Sequence, residues 1–391
     1  MKFKIQSLFF PFLLAGYEFS TYLSNDMYLP ALPDMMREMH LTTQQVQFTL
    51  TSWFLGLASM PLFLGVLSDR FGRRPILLIG GIIYIIATVI CALTHNHQVL
   101  LIARFLQGGM TSSMLVAGYA TVHEMYDHKE AVRMIALMGS ISVLAPTLGP
   151  LLGSIVLLFT SWRGIFWFIA IWATIAILLL IKIMPETLNK EQQNKINIPT
   201  LLKSYKKIIS NYRFMALTSV LGCIFAGFIT WIAAGPLLVI EVFQHSAIAF
   251  GLFQLAIFIA YIIGNYLVRY LVEKIKVVHL LHWGMSIAQI GVFMMLMSSF
   301  FFPQFLYGFI FSMMVFSFGT AFCFPLLNRM IIESSQETMG IRVSLFTVFL
   351  TLFSSLGSAA SGLFFSGTIF SLACLVTGFV VLAYLFYFFV K

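Results

Sequence analysis

This chain is poor in charge. Only 9% of its 391 residues are Asp, Glu, Lys or Arg, and 14 of them are acidic. A soluble domain carries roughly a quarter charged residues, so an ordinary water-facing surface is excluded. Cysteine is sparse too. Cys91, Cys223, Cys323 and Cys374 all fall in apolar stretches without metal-ligand spacing, so no disulfide framework and no metal site is expected, and the four read as small buried hydrophobes. No Asn-x-Ser/Thr pattern, phosphate-cradling glycine loop or nucleophile–base set is present. These absences argue against ATP as an energy source, against an enzyme and against any cofactor.

What the chain has is apolar surface. Hydrophobic residues make up 60% of it and the mean hydropathy is +0.95. Twelve stretches are long enough to cross a hydrocarbon core of about 30 Å as helices. They run approximately over 7–32, 43–67, 75–94, 97–122, 131–158, 163–184, 214–240, 247–271, 277–299, 303–328, 339–361 and 364–390. The expected class is an all-α membrane protein. The first stretch is too long and too acidic for a cleavable signal peptide. With the N-terminus in the cytoplasm, 20 of the 23 Lys and Arg fall on cytoplasmic segments, which satisfies the positive-inside rule and puts the C-terminus inside as well. The formal charge of +9 is therefore a topology signal. It points to anionic lipid and gives no reason to expect nucleic acid.

One long polar stretch, 185–213, divides the chain into an N-terminal six-helix bundle (1–184) and a C-terminal one (214–391). Its second part is amphipathic and suits the inner membrane surface. Gly65 to Arg70 and Gly264 to Arg269 repeat the same spacing at the same inner loop of each half. Six spans plus six around a cytoplasmic linker is a transporter layout, with substrate bound near the bilayer midplane.

Against this apolar background, Glu18 and Asp26 share the first span. An ionisable group at bilayer depth costs at least about 2.5–3.5 kcal/mol, so a proton or cation site is the default reading. On an ideal helix Glu18, Tyr22, Asn25 and Asp26 form one polar stripe about 12 Å long, which must face the protein interior. Arg104 lies inside the fourth span with Gln107 following inward. A fixed ion pair between Arg104 and the acids is the bland alternative, and an expensive fastener in hydrocarbon. Gly139 to Gly153 carries Pro146 and Pro150 among three glycines, Gly149 between them, and reads at least as a kinked, closely packed helix. Trp231, with Phe228 and Pro236, offers an aromatic wall. Glu124 reads as a loop-flanking acid, and Arg329 stands between snorkelling and cavity gating. His123 is the one histidine placed to titrate usefully.

Gly65-Val-Leu-Ser-Asp-Arg-Phe-Gly-Arg-Arg-Pro75 resembles the signature loop of the major facilitator superfamily. The resemblance implies that Gly65, Asp69, Arg70, Gly72 and Arg73 gate conformation, Asp69 docking near the start of the eleventh span. Leu101 to Gly109 is similar to the family's fourth-span pattern, in which Arg104 couples proton binding to conformational change. The Pro146-Thr-Leu-Gly149-Pro150 segment resembles the antiporter motif of drug–proton exchangers. From this resemblance follow a bacterial inner-membrane location, a multi-pass monomer, lipophilic small molecules and protons as partners, and membrane lipid around it. It also implies that Glu18 and Asp26 respond to proton and substrate, and that Tyr119 and Met138 line a drug cavity with Asn25, Tyr22 and Ser142 nearby. The expected activity is proton-coupled efflux of cationic or neutral compounds. A transporter of an endogenous metabolite or siderophore, and a non-transporting membrane sensor, stay open at this point.

Overall fold

Proline and glycine interrupt the first two spans of this chain. The computed structural model describes residues 2–188 and 198–389; side chains are described except those of residues 2–8, His128, Val132, Ala136, Ser142 and residues 198–200. Helix α1 (Lys2–Asp26) ends six residues short of the expected span. A turn at Met27–Tyr28, a 3-10 turn (Leu29–Ala31) and a short α2 (Leu32–Glu38) follow. Pro30 and Pro33 cannot donate to a continuing ladder, and each biases the residue before it away from the α region. The second span is likewise interrupted. Helices α3 (Thr43–Ser59) and α4 (Pro61–Phe71) are bent by 42°, because Pro61 supplies no N–H to the turn before it. At Gly72 the backbone takes φ 107°, a conformation L side chains rarely adopt, and α5 (Arg73–Leu93) starts directly after it.

Side-chain caps start several of the remaining helices. Asn96 accepts from Gln98 N and Val99 N at the head of α6 (His97–Ser113), which passes through a π-helical turn (Met114–Gly118) into α7 (Tyr119–Met125). Asp127 caps α8 (His128–Leu157), and α9 (Trp162–Ile183) completes the first half. The second half holds α10 (Ile198–Ile209), α11 (Tyr212–Pro236) with its π-helical extension (Leu237–Val242), α12 (Ala247–Leu271), α13 (Val277–Phe301), α14 (Leu306–Glu333), α15 (Met339–Phe364) and α16 (Ile369–Phe388). Among the described residues ten helices are long and apolar enough to cross a membrane, or eleven if the bent α3–α4 pair is one span. The expectation of twelve also needs α1, whose opening side chains lie outside the described residues.

Two compact units emerge. One comprises Met1–Ala31 and Ser52–Ile198, the other Leu32–Thr51 and Pro199–Lys391, so the division falls inside α3. Within the first, α1 packs on α8 and α9, α5 on α6 and α9, and α4 on α6. Within the second, α11 packs on α15 and α16, α13 on α14 and α16, and α12 on α14. The same adjacency therefore recurs at corresponding positions, which is the structural counterpart of the weak sequence repeat. The N-terminal half of α3 packs within the second unit through polar contacts: Gln47 Nε2 donates to the Ala233 carbonyl at 3.3 Å and Thr51 Oγ1 to Ser358 Oγ at 2.8 Å.

Polarity is arranged inside out. Phe63, Ile86, Ile171, Tyr266 and Phe311 are exposed, while Glu18, Thr88, Arg104 and Gln107 are fully buried. That is the pattern a lipid solvent imposes. Three cysteines are buried as expected, but Cys374 is exposed on α16. The packed face of that helix is turned to α11 and α13, and Cys374 lies off it. Helix α10 docks through buried Ile208 and an ion pair from Lys207 Nζ to Glu337 at 2.7 Å, and just after it Asn211 Nδ2 donates to the Ser334 carbonyl at 2.9 Å.

Candidate functional site

The polar face of α1 organises the first unit. Ser20, Thr21 and Ser24 turn their hydroxyls back to the carbonyls of Tyr17, Glu18 and Thr21, at 2.7, 2.7 and 2.6 Å, so the helix satisfies them itself. Neighbouring helices then bind that face. Tyr84 of α5 donates to the Ser20 carbonyl at 2.8 Å, and Trp53 Nε1 of α3 to Ser24 Oγ at 3.2 Å.

Arg104 acts on the end of the same helix. Its Nη1 donates to the Ser24 carbonyl at 2.7 Å, in the last turn before α1 stops. The carbonyl end of a helix carries partial negative charge, so a guanidinium there is well placed. Gln107 holds it by accepting from Nη1 while Gln107 Nε2 donates to Thr88 Oγ1 at 2.8 Å. The guanidinium also lies 4.2 Å from the centre of the Tyr28 ring, a cation–π contact with the residue just past the helix end. The early stop of α1 thus creates the place that Arg104 fills. Asp26, 3% exposed, accepts from Asn25 Nδ2 at 3.1 Å and lies two residues past the carbonyl that Arg104 binds.

Glu18 lies two turns earlier and is fully buried. Its Oε1 accepts the Tyr119 phenol at 2.9 Å, while Oε2 meets no donor among the described residues. The structure therefore brings Glu18, Tyr22, Asn25, Asp26, Arg104 and Tyr119 into one region of the first unit. Met138 is fully buried on α8, which packs on α1. Ser142 belongs to α8, but its side chain lies outside the described residues. Trp231 belongs to the second unit. It is fully buried, donates Nε1 to Gln254 at 2.8 Å, and packs among Phe250 and Phe309 with ring centres 6.3 and 5.8 Å away.

The motif loop forms a second cluster. Arg73 pairs with Asp69 and with Glu124, the latter at 3.0 Å, and Arg70 lies over the Phe71 ring at 5.2 Å. Glu186 accepts the backbone N–H groups of Arg73 at 3.0 Å and Arg74 at 3.2 Å, so a carboxylate caps the N-terminus of α5. A Cβ on Gly72 would lie 2.3 Å from that carboxylate. A Cβ on Gly65 would reach Val116 Cγ1 only at 3.9 Å. Pro146 and Pro150 lie inside α8, and between them Gly149 leaves room for Asp26, whose Cβ would stand 2.8 Å from a side chain there. Arg329 is exposed and paired with Glu333 at 2.8 Å, one turn along α14.

Glu186, Thr88 and the backbone target of Arg104 were not anticipated from the sequence. An acid three residues beyond a helix end, in Met184-Pro-Glu-Thr187, was the available signal for Glu186. Thr88 and the Ser24 carbonyl offered none, since neither is distinguishable before the helices are packed.

Comparison with known proteins gives the family and the fold. A model of the Major Facilitator Superfamily matches residues 14–301. The chloramphenicol resistance protein CraA of Acinetobacter baumannii is 30% identical over 338 residues, covering 85% of this chain and 80% of its own. The multidrug transporter MdfA of Escherichia coli O157:H7 is 34% identical over 279 residues, covering 71% and 68%. The fold is similar to that of a bacterial homologue of the human lysosomal transporter Spinster, solved inward-facing and unoccupied, with TM-score 0.79, 15% identity, and 98% of this chain and 96% of the other covered.

Proposed function

The chain belongs to the Major Facilitator Superfamily, and on that premise we propose that it exports lipophilic small molecules, cationic or neutral, in exchange for protons by alternating access. The family makes it a transporter rather than an enzyme, and a multi-pass protein of the bacterial inner membrane. The observation that carries the reading is the α1 acid pair. Glu18 is buried with one oxygen on a phenol and the other without a donor among the described residues, and Asp26 lies eight positions on, at the helix end that Arg104 binds. The two carboxyls lie two turns apart on one buried helix face and can share one task along it. A compound entering beside Tyr22, Asn25, Tyr119 and Met138 drives a proton off the pair, and reprotonation from outside resets it. Twelve spans, both termini in the cytoplasm, two bundles (1–184 and 214–391) joined by 185–213, and a monomeric unit complete the proposal. Gly65, Asp69, Arg70, Gly72, Arg73, Pro146, Gly149, Pro150 and Arg329 are assigned to the conformational change.

The test is proton release in detergent on adding a lipophilic compound. Glu18→Gln together with Asp26→Asn abolishes release while the protein still purifies as a monodisperse species. Release at the wild-type level from that double variant would remove the acids from the mechanism.

A further inference from the structure

We infer that the Tyr119 phenol is the element through which a substrate reaches Glu18, and that it does so only for compounds carrying a hydrogen-bond acceptor. The inference rests on the efflux reading above and names a substrate class for it.

The argument starts from access. Glu18 is fully buried, whereas Tyr119 is only half-buried. Part of the Tyr119 side chain is therefore accessible where the carboxyl is not. It holds Oε1 at 2.9 Å, and Oε2 has no donor among the described residues, so the tyrosine bond is what fixes the carboxyl's orientation. The backbone is shaped to put the tyrosine there. Met114–Gly118 is a π-helical turn directly before it. One extra residue in a turn rotates everything beyond it by about 100° about the helix axis. Gly118 lets the turn pack against α1, since a Cβ there would meet Met114 Sδ at 2.7 Å and Leu14 Cδ1 at 3.3 Å. Leu14 and Tyr22 lie one helical turn either side of Glu18, so the π turn delivers the phenol to the centre of that patch.

A phenol facing a carboxylate has one hydrogen to give. A ligand that takes it must offer an acceptor such as a carbonyl or nitro group. Doing so frees Oε1, and Glu18 then has no held oxygen. A lipophilic cation lacking acceptors has nothing to take, and leaves the Tyr119–Glu18 bond in place. Tyr119 is thus a positioning residue for Glu18 and a specificity determinant for neutral acceptor-bearing compounds.

Tyr119→Phe separates these roles. Infrared spectroscopy at acid pH reads the bond directly. The C=O stretch of protonated Glu18, identified by its loss in Glu18→Gln, moves to higher wavenumber in Tyr119→Phe without any ligand; an unmoved band overturns the inference. Binding is then measured with two probes. Chloramphenicol, neutral and rich in acceptors, weakens about fivefold in Tyr119→Phe, the size of one net hydrogen bond. Tetraphenylphosphonium, a cation without acceptors, stays within about twofold. Equal weakening of both, or of neither, overturns the specificity claim. Wild-type protein that binds neither compound would overturn the efflux reading instead, and the infrared band would still decide the Tyr119–Glu18 bond.

Discussion

At the scale of single residues, glycines on α8 are spaces for another helix's end. A Cβ on Gly153 would lie 1.8 Å from the Met27 carbonyl oxygen, a backbone atom that cannot swing aside. Gly153→Ala is therefore overpacked and loses about 1–3 kcal/mol, seen as a lower thermal unfolding midpoint in detergent. Gly139 is the control on the same helix. Nothing stands within 4 Å of its Cβ position, so Gly139→Ala leaves the midpoint unchanged or raises it through better helix propensity. Glu18 and Asp26 were legible in the sequence because charge is so costly at bilayer depth that two acids in one span demand a reason. The partner of Arg104 was not legible. It is a backbone carbonyl, every residue has one, and only the stop of α1 makes Ser24's the one in reach.

At the scale of elements, helix existence was readable and helix interruption was not. Apolar length predicts a span, but Pro30, Pro33 and Pro61 act through which N–H is missing at a given turn, and the outcome depends on what else can bind the freed carbonyls. The π turn at Met114–Gly118 has no sequence signature at all. Amphipathic α10 was visible, and its docking partner was not. Lys207 beside Glu337, with Ser204 adding a hydrogen bond, holds that carboxyl below its usual value. A carboxyl depressed on folding adds stability above its unfolded value of about 4.3, and the contribution is lost as pH falls through the lower folded value. Hydrogen exchange in α10 accordingly stays constant from neutral pH down to about 4.3 and, after correction for intrinsic rates, accelerates below it. Glu337→Gln shows the faster exchange already at neutral pH. Exchange that is independent of pH in the wild type would show that the pair contributes nothing to docking, as many surface ion pairs do.

At the scale of the whole molecule, the recurrence of one adjacency pattern in both units ties the sequence repeat to the architecture. The Lys and Arg distribution makes a prediction about orientation. Green fluorescent protein fused after Lys391 fluoresces, and alkaline phosphatase inserted in the loop at His95 is active, because the first reporter needs the cytoplasm and the second the outer side. Inverted signals would reverse the topology. The sequence by itself determined that the chain is membrane-embedded and helical, which family its motif loop resembles, and that α1 carries acids requiring a function. Hydropathy and charge settle those points, because they are properties of composition against a solvent. Tertiary structure alone decided that α1 ends at Asp26, that Arg104 binds the end of that helix, that Glu186 caps α5, and that Tyr119 is the group holding Glu18. The last three are hydrogen bonds between atoms distant along the chain, and their existence depends on where a helix stops or turns.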